Sequence, residues 1–178
     1  MAHRILLSLG FIFSFFTDVS MVTMILPALF TYPISIFLRG FGWIILGRRI
    51  SGFYYITGIF VLIFGALLYL SVVYQPVRDS QLGRMFPLFW IIYSVFELLS
   101  YISLGRLSGL FYIACISILG IAIVAYMMIS QTTPGYSQSE HPASSPSILA
   151  LFATLSISSL AAAISSLKLR VDSLYMRW

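Results

Sequence analysis

Six apolar stretches, each near the length of a membrane-crossing helix, fill this chain and leave one long hydrophilic connection, Gln131 to Ser147. A hydrocarbon core about 30 Å thick is crossed by roughly 20 helical residues. Spans are therefore expected at 5–27, 28–47, 50–74, 86–104, 108–130 and 147–167. Uninterrupted apolar runs such as Ile56 to Leu70 argue for helices, because barrel strands alternate lipid-facing and lumen-facing residues. The expected fold is all-α: a polytopic integral membrane protein of six transmembrane helices, with 1–178 forming a single transmembrane domain. Composition agrees, since 8% of residues are charged and 60% apolar, against about a quarter charged in soluble domains.

The first boundary has the least support in the sequence. Residues 5–38 are almost unbroken apolar sequence, and only Pro27, Thr31 and Pro33 suggest a turn there, because proline disfavours helical geometry in the residue before it. One long kinked helix in this stretch would leave five spans. The start, Met-Ala-His-Arg followed by Ile5 to Phe16, has the charge and apolar run of a secretory signal. It lacks a small-x-small cleavage site and meets Asp18, so an uncleaved first span is expected.

Basic residues set the orientation, since Lys and Arg near span ends favour the cytoplasmic side. With both termini inside, that side receives Arg4, Arg48, Arg49, Arg106, Lys168, Arg170 and Arg177, leaving Arg78 and Arg84 outside. A multi-pass protein of the cell membrane with both termini cytoplasmic is expected. The net charge of +5 then reflects topology and contact with anionic headgroups. No extended basic face marks a nucleic-acid partner. The loop 131–147 is extracytoplasmic and rich in Ser, Thr and Pro, and 168–178 forms a basic-aromatic tail on the cytoplasmic surface. The absence of asparagine, the single cysteine and nine arginines against one lysine suggest a thermophilic source.

An internal repeat relates spans two and three to spans four and five. Leu46-Gly-Arg-Arg-Ile-Ser-Gly-Phe-Tyr-Tyr-Ile matches Leu104-Gly-Arg-Leu-Ser-Gly-Leu-Phe-Tyr-Ile once one residue is skipped, and the likeness continues to Tyr69 and Tyr126. Both copies cross in the same sense, so the repeat is parallel, with its axis along the membrane normal. Gly47 and Gly105 are expected in the left-handed geometry that ends a helix, with Ser51 and Ser108 capping the next one.

Asp18, Arg39 and Glu97 are the acidic and basic residues that fall well inside spans. Each costs about 2.5–3.5 kcal/mol at a helix centre on insertion scales, so each should face other helices or water. Arg39 and Glu97 lie roughly 12 and 10 Å from the inner ends of their spans and occupy matching repeat positions. They form a candidate intramembrane ion pair, with Asp18, about 20 Å from the inner end of span one, as a second acceptor within reach of a long arginine. The pair either fixes helix register or holds a carboxylate that carries a proton or ion. In span six, Ser158, Ala162 and Ser166 recur every four residues and form a candidate helix-packing face, toward the chain itself or another subunit. Trp43, Tyr54, Tyr55, Tyr74 and Trp90 are expected in the aromatic belts.

Catalytic and cofactor signatures are missing. His3 and His141 fall outside the spans, and no His-Glu-x-x-His, Cys-x-x-Cys, Gly-x-Ser-x-Gly or phosphate loop occurs; the Gly-x-Gly at Gly40 to Gly42 is a weak signal inside a span. No catalytic residue, cofactor or metal ligand set is assigned, and an enzyme acting alone is not expected. The expected function is that of a non-catalytic accessory or structural subunit of a larger membrane complex, in a bioenergetic or respiratory setting. Its partners would be the bilayer and other membrane subunits. The alternative is a small six-helix transporter or substrate-binding membrane component using Asp18, Arg39 and Glu97.

Overall fold

The computed structural model describes residues 2–23, 25–74, 76, 81, 85–106, 108–116, 118 and 146–169. Among them the architecture is all-helical: α1 (Ala2–Thr23), α2 (Ile25–Arg49), α3 (Gly52–Val73), α4 (Phe86–Gly105), a shorter α5 (110–116) and α6 (Pro146–Lys168). Four stretches, Ala2–Met21, Leu26–Arg49, Gly52–Ser71 and Leu88–Gly105, are long and apolar enough to cross a membrane, and α6 holds a shorter one, Phe152–Lys168. Arg78, Arg84, Tyr126 and His141, most of the span expected at 108–130, the loop at 131–147 up to Pro146, and the tail beyond Leu169 lie outside the described residues.

Neighbouring helices run antiparallel around a common axis. α1 packs between α2 and α6, α2 also meets α3, and α3 meets α4. Bonds through α5 close the ring: the Ser158 hydroxyl of α6 donates to the Ile113 carbonyl at 3.0 Å, and Phe111 stacks on Tyr101 of α4. Between α3 and α4 the seam is aromatic, with Phe60 and Phe96 ring centres 4.2 Å apart and Phe64 and Phe89 5.6 Å apart. Outward faces carry Phe30, Phe37 and Phe41 of α2, Ile63 of α3 and Ile157 of α6, all exposed. An exposed apolar perimeter of this extent suits lipid.

The break between α1 and α2 comes earlier than Pro27 to Pro33. α1 ends at Thr23 and α2 begins at Ile25. Pro27 sits in the first turn of α2, where amide donors have no intrahelical partner, so proline costs little. Pro33 lies inside α2, a placement that neighbouring helices make tolerable in apolar surroundings.

Glycines decide how closely α2 approaches its neighbours. A Cβ on Gly10 would stand 2.7 Å from the Arg39 backbone nitrogen, one on Gly42 3.0 Å from that of Leu7, and one on Gly58 2.6 Å from the Gly40 carbonyl. Gly40 therefore serves the α3 contact and Gly42 the α1 contact, and the Gly-x-Gly is a packing device. Gly47 and Gly105 do not take the left-handed conformation expected of them. Both remain helical because close approach is what they supply: an added Cβ would overlap the Tyr55 backbone at Gly47 and the Tyr112 ring at Gly105. Ser51 does cap α3, its hydroxyl accepting from the Phe53 amide at 3.3 Å.

Candidate functional site

Helical spacing turns three polar faces toward the ring's axis. On α2, Arg39 and Trp43 stand one turn apart; on α4, Glu97 and Tyr101 do the same; on α1, Phe11, Ser14 and Asp18 follow at three and four residues. Arg39 Nη1 lies 3.4 Å from Glu97 Oε2, with side chains 9% and 2% exposed. The other carboxylate oxygen, Oε1, accepts from Trp43 Nε1 at 3.2 Å. The Arg39 guanidinium also sits over the Phe11 ring, 5.6 Å from its centre.

Asp18 comes from α1, the helix packed against α2. Its Oδ2 accepts from the Ser159 hydroxyl of α6 at 2.9 Å. It is half-buried, and among the described residues it bonds to this hydroxyl and not to Arg39, the second donor expected for it. All three charged residues nevertheless line one interior cavity of about 30 Å³, together with Ser14, Tyr101, Ser158, Ser159 and Ala162. That volume accommodates about two waters, and the lining is polar enough to hold them. Two carboxylates face one guanidinium there, leaving the cluster one positive charge short.

Comparison with protein-family models, with curated proteins and with solved structures found no match. Function has to be read from the site itself.

The packing face of α6 points into the chain. Ser158, Ala162 and Ser166 are 1%, 1% and 0% exposed. Ser158 bonds across to α5, whereas Ser166 donates back to the Ala162 carbonyl of its own helix at 2.8 Å. Two members of the expected aromatic belt belong to the core instead. Trp43 and Tyr54 are 0% and 4% exposed and stack 5.9 Å apart. Inward rotation is stable because each polar tip finds a partner, Trp43 on Glu97 and the Tyr54 hydroxyl on Ser103 at 2.8 Å. Tyr74 is exposed, as a belt residue should be.

His3 was expected ahead of the first span. It lies within α1, is 2% exposed, and neither ring nitrogen has a partner among the described residues. Beside it, Arg4 donates through Nε to the Leu167 carbonyl at 2.9 Å and through its guanidinium to the same oxygen. A cation thus caps the C-terminal end of α6 and ties it to the start of α1. Ser159, Trp43 and Tyr101 were missed as site residues. Spacing could have found the last two, each four residues from a charged member of the cluster.

Proposed function

We propose that this chain is an integral membrane protein of six spans that binds a proton or small monovalent cation within the bilayer, in the manner of a small transporter or the substrate-binding component of one. The observation that carries this is the convergence of Asp18, Arg39 and Glu97, from three helices, on one interior cavity. Charged residues buried in a membrane are costly and are retained where they pair, relay protons or bind ions. A cavity of about 30 Å³ has room for about two waters or a simple cation. The small-residue face of α6, which would otherwise speak for docking on another subunit, is spent on this interior.

Both termini lie on the cytoplasmic side of the cell membrane in this proposal. The antiparallel contact of α1 with α6 supports termini on a common side: Arg4 meets Leu167, and Asp18 meets Ser159. A parallel repeat of spans two and three with four and five is part of the same proposal. Gly47 faces Tyr55 and Gly105 faces Tyr112, which are matched positions in the two copies. Arg39 and Glu97 are also matched, and equivalent positions that touch must lie beside the axis relating them.

A second proposal, an accessory subunit of a larger bioenergetic assembly, draws on the perimeter of α2. There Leu26, Phe30, Ile34, Phe37 and Phe41 form one exposed stripe along the helix. Native mass and subunit content after mild detergent extraction separate the two. The chain alone, or copies of itself, is the expected result. A stoichiometric set of other membrane subunits carrying cofactors would overturn the carrier proposal in favour of the second.

A further inference from the structure

Arg39 brings to the cavity a buried N–H donor, its Nε, that has no acceptor among the described residues. The residue is 7% exposed. Nη1 is already directed at Glu97. A buried guanidinium N–H left unmade is costly, so an acceptor is called for at that edge. The volume provides one, since about two waters fit. Asp18 lines the same cavity, where its Oδ2 holds Ser159.

We infer that the cavity is a hydrated proton site in which water links the Arg39 Nε–H to Asp18, and that Asp18 is the carboxyl group that takes up and releases the proton. Glu97 remains ionised between Arg39 and Trp43. The step balances simply: Asp18 carboxylate and hydronium give the Asp18 carboxylic acid and water, and the reverse returns the proton. With the proton on, the cluster holds Arg39 against Glu97 and is neutral. With the proton off, the free Nε edge of Arg39 turns through water toward Asp18 as well, so one cation is shared between two anions.

Different surroundings separate the two carboxyl groups. Glu97 is 2% exposed and has both oxygens engaged by groups that favour its charge. Asp18 is half-buried, and among the described residues few groups face it. From α2 there is Arg39, from α4 Glu97 and Tyr101, from α6 only the hydroxyls of Ser158 and Ser159, and beyond α5 the apolar Ile118. A divalent ion is a poorer fit, because no group of three or more His, Cys, Asp and Glu stands together among the described residues. The inference rests on the carrier proposal and narrows its ligand to the proton.

Infrared spectroscopy of the purified full-length protein, in hydrated films in water and in heavy water, tests this. The sequence has five acidic residues, of which Asp18 and Glu97 are the two placed inside the helix ring among the described residues, so variants of these two assign a protonated carboxyl in apolar surroundings. The expected result is one such carbonyl band at neutral pH that shifts in heavy water, disappears in Asp18→Asn and persists in Glu97→Gln. Ser159→Ala, which keeps the carboxyl, should retain the band at a shifted frequency and serves if Asp18→Asn fails to fold. A band lost in Glu97→Gln instead overturns the assignment to Asp18 and leaves the carrier proposal standing. No band, but a sodium-dependent change in the carboxylate region, replaces the proton by an alkali cation and again leaves that proposal standing. No band and no response to sodium or potassium chloride overturns both.

Discussion

Breaking the Arg39–Glu97 pair should be among the most damaging single changes available in this chain. At 3.4 Å, opposite unit charges attract by about 5 kcal/mol at an effective dielectric near 20. Desolvation offsets much of that while both partners are present, but removing one leaves the other buried and uncompensated, at about 3–5 kcal/mol. Arg39→Met should therefore destabilise by about that amount, as it strands the Glu97 carboxylate with only Trp43 as a donor. Glu97→Gln should cost somewhat less, because its amide oxygen can still accept from Trp43. The double variant Arg39→Met, Glu97→Gln should recover a large part, giving a coupling of about 2–4 kcal/mol. Unfolding free energies measured in bicelles by steric trapping provide the cycle. Neutral hydrogen bonds within membranes couple by about 0.6 kcal/mol on average. A coupling at or below that level would falsify the claim that these two side chains meet as a buried ion pair.

Trp43→Phe keeps a stacked ring but removes the donor to Glu97, and should cost about 1.5–3 kcal/mol in the same assay, with only the smaller loss from the missing ring volume when Glu97→Leu is already present. Gly47→Ala should destabilise by about 1–3 kcal/mol through overpacking against the Tyr55 backbone. Gly105→Ala should cost less, because its neighbour is the half-exposed Tyr112 ring, which can swing aside; thermal unfolding followed by circular dichroism ranks the two. Arg4→Ala removes the cation from the end of α6 and should cost about 1 kcal/mol, with faster amide hydrogen exchange confined to the last turn of that helix.

Helical class and the charged trio were legible in the sequence because both follow from the bilayer's chemistry. Long apolar runs have few alternatives to helix, and three charges amid such runs stand out with no alignment. Rotation about each helix axis was not legible. Trp43 and Tyr54 have the depth of belt residues, and only their azimuth, set by partners on α4, sends them inward. Ser159 was hidden in a serine-rich helix where any hydroxyl could have bonded back to its own backbone, as Ser166 does. Glycine's two uses were also confused at Gly47 and Gly105, since a helix end near Leu-Gly-Arg reads equally well as a left-handed cap or as a close crossing. The boundary between α1 and α2 escaped because it falls ahead of the prolines that usually mark one.

Proton movement by the purified chain in liposomes is the measurement to make. A potassium diffusion potential drives the flux, and a pH-reporting dye inside the vesicles reads it. Wild-type protein should acidify or alkalinise the lumen according to the sign of the potential, Asp18→Asn should reduce the rate to that of empty vesicles, and Ser159→Ala should retain a measurable rate. Wild-type vesicles that match empty ones for protons, sodium and potassium alike would contradict a carrier role for the Asp18, Arg39 and Glu97 cluster.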